Sequence, residues 1–184
     1  MIPARLLAPL AALALLAGCG DDKDSGSAST GTNSATTPVE TTAAEPQATT
    51  GEAPVVANAR DLSSKPKIAK PAGDPPTALV KKDLVVGKGP AIKAGQLATV
   101  QYVGVAWSTG EEFDASWDRG QPFQFPVGRQ QVIQGWDEGI PGMKVGGRRE
   151  LVIPADQAYG AQSPGPGIGA NETLVFVVDL KRIG

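Results

Sequence analysis

Residues 97–106 read Leu97-Ala98-Thr99-Val100-Gln101-Tyr102-Val103-Gly104-Val105-Ala106. Alternation puts Val100, Tyr102, Gly104 and Ala106 on one side of an extended chain, and Leu97, Thr99, Gln101, Val103 and Val105 on the other. A period of two, rich in β-branched residues, predicts a strand. Residues 149–153 form a second such run. Residues 173–180 form a third, with Leu174, Phe176 and Val178 on one face and Thr173, Val175, Val177 and Asp179 on the other. Shorter strands are expected at 84–86, 112–115 and 121–126, each bounded by Gly, Pro or Asp. One stretch has helical spacing: Val132, Ile133, Trp136 and Ile140 recur at intervals of three and four, starting at 129 or 132, and Pro141-Gly142 stop the run. The expected architecture is α+β, an antiparallel twisted β-sheet of five or six strands with one short helix packed on its face.

All nine aromatic residues lie between Tyr102 and Phe176, which marks one core, one pocket or both. Residues 78–184 contain eleven acidic and eleven basic side chains, so this part carries no net charge and no basic stripe, which argues against nucleic acid as a partner. Upstream the composition changes. Residues 20–77 contain no aromatic residue and are dominated by Ser, Thr, Ala, Pro, Gly and acidic side chains, with too little apolar surface to offset the entropy of ordering. The reading is a disordered tether over residues 19–77, followed by a folded domain over 78–184. Residues 1–18 carry one positive charge, Arg5, then an apolar run that ends at Leu16-Ala17-Gly18-Cys19 before Gly20-Asp21-Asp22. The run falls short of the roughly 20 residues a transmembrane helix needs and reads as a signal peptide. Leu-Ala-Gly-Cys resembles the lipobox of bacterial lipoproteins. That resemblance implies cleavage before Cys19, lipidation of Cys19, and an extracytoplasmic protein held to the cell membrane or envelope. Cys19 is the single cysteine, so no intramolecular disulfide can form.

There is no histidine in the chain. That removes Ser-His-Asp and Cys-His catalysis and zinc sites built on His. Ser64-Lys65-Pro66-Lys67 matches a Ser-x-x-Lys pattern but lies in the expected tether, with no fold to position a nucleophile. Gly165, Gly167 and Gly169 precede no helix that could cradle phosphate. Asp114, Asp118, Asp137 and Glu138 have no spacing that demands convergence on a metal or an acid/base pair, so neither metal nor cofactor is expected. Shape, desolvation and hydrogen bonding remain. Asp114, flanked by Phe113 and Ala115, is a carboxylate that burial would make costly unless it is paired.

Taken in order, Tyr102-Val103-Gly104, Phe113-Asp114, Asp118-Arg119-Gly120-Gln121-Pro122-Phe123, Val127 to Trp136 (Val-Gly-Arg-Gln-Gln-Val-Ile-Gln-Gly-Trp), Ala158-Tyr159-Gly160 and Leu174-Val175-Phe176 resemble the FKBP-type peptidyl-prolyl cis-trans isomerases over about residues 84–183. The resemblance implies that Trp136 forms a floor under a proline ring, that Tyr102, Phe123, Val132, Ile133 and Phe176 form walls, and that Phe113 completes the cavity. It makes the Ile133 N–H and the Tyr159 hydroxyl donors to substrate carbonyls, and sets Asp114 near the twisting carbonyl with Arg119 and Tyr102 orienting it. Asp114, Tyr159, Trp136 and Phe176 are thus the expected catalytic set. Ile168, the one large apolar residue of the Gly- and Pro-rich loop 160–171, is an expected substrate contact at the rim. The loop departs from the family pattern, with Pro164, Gly167 and Ile168 where many members carry a histidine and paired isoleucines, and Gln131 and Gln157 replace a more usual Glu and Tyr. These departures bear on substrate preference and on affinity for the macrolides the family binds.

The expected function is acceleration of Xaa-Pro isomerisation in proteins folding outside the cytoplasm, by a monomer. The alternative is a non-catalytic chaperone or envelope assembly partner that holds proline-containing segments. Because histidine is absent, kcat/KM should change little between about pH 5.5 and 8. A sharp inflection near pH 6.5, roughly where histidine titrates, would contradict a mechanism without such a group.

Overall fold

A computed structural model describes residues 52–184. Its main sheet contains β3 (Val80–Val85), β4 (Leu97–Ala106), β5 (Glu112–Ala115), β6 (Phe123–Pro126), β7 (Gly147–Ile153) and β8 (Leu174–Ile183), and one short helix, α1, spans Gln134–Gly139. The strands run in the order β3-β7-β8-β4-β5, with β6 alongside the other end of β4, and every pairing is antiparallel. The expected α+β class holds. β3 is longer than the predicted 84–86 because it is an edge strand whose Lys81, Lys82 and Asp83 face solvent and give no apolar signal. The helix starts later than its apolar spacing suggests. Ile133 is extended at φ −59°, ψ 148°, so Val132 and Ile133 belong to the loop that feeds α1.

β4 is buried on both faces. On the inner face, Ala98, Val100 and Tyr102 join Leu151, Ile153, Phe176 and Val178 beneath Trp136 and Ile140 of the helical segment. The helix sits close to the sheet: a Cβ on Gly135 would lie 2.4 Å from Ile153 Cγ2, so this position requires glycine. Arg149 of β7 fastens the helix end by donating to the carbonyls of Gly139 (2.7 Å) and Pro141 (3.3 Å) while pairing with Asp83 at 2.6 Å. A guanidinium at a helix C-terminus satisfies orphan carbonyls and suits the negative end of the helix dipole.

The outer face corrects the expected disordered tether. Residues 52–77 form an ordered arm, in which β1 (Val56–Ala57) and β2 (Lys67–Ile68) pair antiparallel. Ala53 and Ile68 pack on an outer cluster of Val103, Val105, Trp107, Ala115, Val152 and Val175. Pro54, Pro66, Pro71 and Pro76 are buried. Arg148, itself fully buried and paired with Asp179 at 2.5 Å, donates to the arm carbonyls of Asn58 (2.6 Å) and Ser64 (3.1 Å). Trp107 Nε1 donates to Gly73 O (3.2 Å), and Lys181 to Leu62 O (3.1 Å). The arm has little apolar surface of its own; the sheet supplies the surface that orders it, and proline lowers the entropy to be lost. The expected signal peptide, the expected lipidation site Cys19 and the expected tether up to residue 51 lie outside the described residues.

Glu150 shares the outer face with Arg148 on β7. It is fully buried, and both its carboxylate oxygens lack a hydrogen-bond partner among the described residues. Lys82 approaches it only to 3.8 Å from a half-exposed position. Burial outweighs the attraction of Lys82 and pushes the Glu150 carboxyl up to about 7 from an ordinary 4.5. A folded-state value above the unfolded one means that the stability is fully present below pH 4.5 and lost as pH rises through 7. Glu150→Gln should therefore stabilise the protein by about 1 to 3 kcal/mol at high pH, with little effect in acid. Denaturant titrations at pH 4.5 and pH 8 check this; an equal difference at both would refute it.

Candidate active site

Two irregularities bring the site together. Between Gly104 and Val105 the β4–β5 register shifts, so that Gly104 opposes Asp114 while Val105 opposes Glu112, leaving Phe113 as the extra residue. A bulge of this kind re-aims a side chain. Phe113 and Asp114, which a regular strand would point to opposite faces, both line one inner-face cavity. The second irregularity is Gly104, where a Cβ would lie 2.7 Å from both Phe113 Cζ and Phe176 Cε1. Only glycine lets these two rings meet over β4.

The cavity measures about 200 Å³. Trp136, 4% exposed, lies at its base. The Tyr102 and Phe176 rings meet Trp136 edge-to-face, at centroid distances of 5.1 and 5.3 Å and interplanar angles of 86°. Phe123 closes another side at 6.2 Å from Trp136 and 6.0 Å from Tyr102, and Phe113 meets Phe176 at 5.6 Å. Edge-to-face pairs suit the aromatic quadrupole and add about 0.5 to 1.5 kcal/mol each beyond burial. Phe125 packs against Trp136 at 5.4 Å and is 2% exposed, a core residue that supports the floor.

One polar network breaks the apolar wall. Asp114 accepts hydrogen bonds from the Tyr102 hydroxyl and from Arg119 Nη1, and Arg119 Nη2 donates to the Tyr102 oxygen at 2.8 Å. The guanidinium carbon also lies 5.5 Å from the Tyr102 ring centroid. Burial, together with the hydrogen bond to Asp114, pushes the Tyr102 phenol up to about 12. The Tyr102 hydroxyl therefore stays a donor, and the Asp114 carboxylate is compensated at the edge of an aromatic cavity.

On the opposite side, the loop before α1 is fixed by Asp137, which accepts the N–H groups of Gly128 and Gln130 at 2.7 Å each. That anchorage places Val132 and Ile133 on the cavity wall. The Ile133 N–H donates to no acceptor among the described residues. Tyr159, 40% exposed, follows a 3-10 turn over Ala155–Gln157 and completes the lining. Burial, and secondarily the charge of Asp114, raises its phenol above the ordinary value.

Asp114, Tyr159, Trp136, Phe176, Tyr102, Phe113, Phe123, Val132 and Ile133 thus converge on one cavity, with Arg119 behind Asp114 and Tyr102. Ile168 departs from expectation. The loop folds on itself through a Gly165–Ile168 bridge and a 2.6 Å bond from the Ser163 hydroxyl to Ile168 O, and Ile168 turns into the core cluster, 9% exposed, and is absent from the cavity lining. Gln131 does line the cavity, although as a loop glutamine it carried no apolar signal.

Residues 89–181 match the family model described as FKBP-type peptidyl-prolyl cis-trans isomerase. The chain is 60% identical over 120 residues to an FK506-binding protein of Streptomyces anulatus, covering 65% of this chain and 97% of that one. Among solved structures it is similar to AtFKBP13, at 37% identity and a TM-score of 0.53, covering 58% of this chain and 93% of that one. It is also similar to FkpA from Escherichia coli, at 42% identity and a TM-score of 0.52, covering 58% of this chain and 48% of the other.

The chain has two tyrosines, and both face this cavity. In the folded protein both should ionise above the ordinary phenol value, Tyr102 at about 12. Followed by phenolate absorbance, Tyr102→Phe should remove the step at about 12 and leave that of Tyr159. Two ordinary titrations would contradict the network.

Proposed function

The chain belongs to the FKBP-type peptidyl-prolyl cis-trans isomerase family and is a peptidyl-prolyl cis-trans isomerase; from that premise we propose how it acts and where. It accelerates Xaa-Pro rotation in proteins folding outside the cytoplasm by stabilising the twisted amide without a covalent intermediate. The observation that carries this reading is an aromatic box interrupted by one compensated carboxylate.

Rotation about a peptide bond costs roughly 18 to 20 kcal/mol because resonance makes C–N partly double. Twisting destroys that resonance and leaves an amide less polar than the planar one, so a dry cavity favours the twisted form. The proline ring rests on Trp136 between Tyr102, Phe123 and Phe176. The Ile133 N–H, which has no acceptor among the described residues, and the Tyr159 hydroxyl, a phenol at the cavity edge, donate to substrate carbonyls. Asp114, oriented by Tyr102 and Arg119, faces the carbonyl that turns. Each interaction counts only as far as it is stronger for the twisted amide than for the planar one.

The partners in this reading are proline-containing polypeptides, with macrolides of the kind the family binds as ligands of the same cavity. The run Leu16-Ala17-Gly18-Cys19 supports anchorage to the cell membrane or envelope through lipid on Cys19, with the protein acting as a monomer.

NMR exchange on a short Xaa-Pro peptide should show acceleration by the wild-type protein. Trp136→Leu should lower kcat/KM by about tenfold or more, and Tyr159→Phe by roughly three- to tenfold, the loss expected for one hydrogen bond. A wild-type rate equal to that in buffer would overturn the mechanism. Variants that lose isomerisation yet still assist refolding would favour the binding role instead.

A further inference from the structure

We propose that Lys65, on the N-terminal arm, is a positioning residue for the cavity on the other side of the sheet. The proposal rests on the isomerase reading, in which Asp114 faces the twisting carbonyl. Lys65 Nζ lies 2.7 Å from Glu112 Oε1 and 2.8 and 2.7 Å from the two oxygens of Asp118. Glu112 opens β5, two residues before Asp114, and Asp118 immediately precedes Arg119. One ammonium therefore holds both ends of the segment that supplies the carboxylate and its guanidinium partner.

That segment needs holding. Among the described residues β5 is a four-residue edge strand, bonded only to β4 and interrupted by its bulge. Beyond it the chain is tied to β4 at Ser116, whose hydroxyl accepts the Tyr102 N–H at 2.8 Å. The turn that follows is closed by the Gly120 N–H donating to Trp117 O at 3.1 Å. Lys65 reaches this segment from a fixed backbone. The carbonyl of its neighbour Ser64 accepts from buried Arg148, and on its other side Pro66 is buried.

Charge gives the clamp a second role. Asp118 feels the positive charge of Arg119, but Lys65 dominates its surroundings and holds its carboxyl below the ordinary value. Hydrogen bonds to Asp118 and Glu112 outweigh burial and raise the Lys65 ammonium. Removing the ammonium would leave two carboxylates facing each other and free Asp118 to compete with Asp114 for Arg119. Engagement of Lys65 with Asp118 leaves the guanidinium to Asp114 and Tyr102.

The test uses the full chain, with Lys65→Gln, Lys65→Arg and Lys65→Gln combined with Asp118→Asn. Lys65→Gln should lower kcat roughly threefold, within the range of exposed ion-pair effects, and leave KM within about twofold. It should also speed amide hydrogen exchange over residues 113–120. Lys65→Arg should restore kcat, and so should the double variant, because it removes the competitor. Salt of about 1 M should bring the wild type down toward Lys65→Gln. Unchanged kcat and exchange in Lys65→Gln, or a double variant no better than the single one, would overturn the proposal. A wild-type protein with no isomerase activity would overturn the isomerase reading, and the exchange measurement would still decide the clamp.

Discussion

A strand that is apolar on both sides must be covered on both sides, and β4 sets that requirement for the molecule. It touches β8 along its length and gives its other edge to β6 at one end and β5 at the other. The inner cover is the helix and the loop feeding it; the outer cover is the arm. Covering the inner face incompletely leaves the cavity, where the aromatic rings meet one another and leave a gap of about 200 Å³. Site and core are one construction.

Within it, an anion stands beside an apolar wall. A carboxylate beside apolar rings calls for hydrogen-bond donors or an opposite charge. Asp114 has both: the phenol that forms part of the wall donates to it, and Arg119 contributes charge while its guanidinium lies 5.5 Å from the centroid of the same ring. Tyr102 is therefore structural and electrostatic at once: its ring packs on Trp136 and its hydroxyl ties the two charged groups together.

The sheet was legible where β-branched and aromatic residues run between turn signals, as in residues 97–106 and 173–180. It was less legible at β3, whose edge position leaves polar residues exposed. The site was legible through the order of its motifs, yet period-two reasoning would have separated Phe113 from Asp114, which the bulge reunites. Ile168 misled because an apolar residue in a glycine-rich loop suggests a rim contact, while a turn closed by its own hydrogen bond directs it into the core. The arm was missed because a segment's own composition does not report the apolar surface that a distant part of the chain offers it. Glu150 was hidden for the same reason, since its burial needs a second layer that the strand pattern does not reveal.

The arm also gives the molecule a front and a back. Ala53, at the start of the described chain, packs on the outer face, whereas the cavity belongs to the inner one. The arm residues Ala53 and Ile68 thus lie on the side of the sheet away from Trp136. No arm residue among those described lines the cavity, so ordering the arm covers one face of the sheet and leaves the opening over Trp136 on the other face clear.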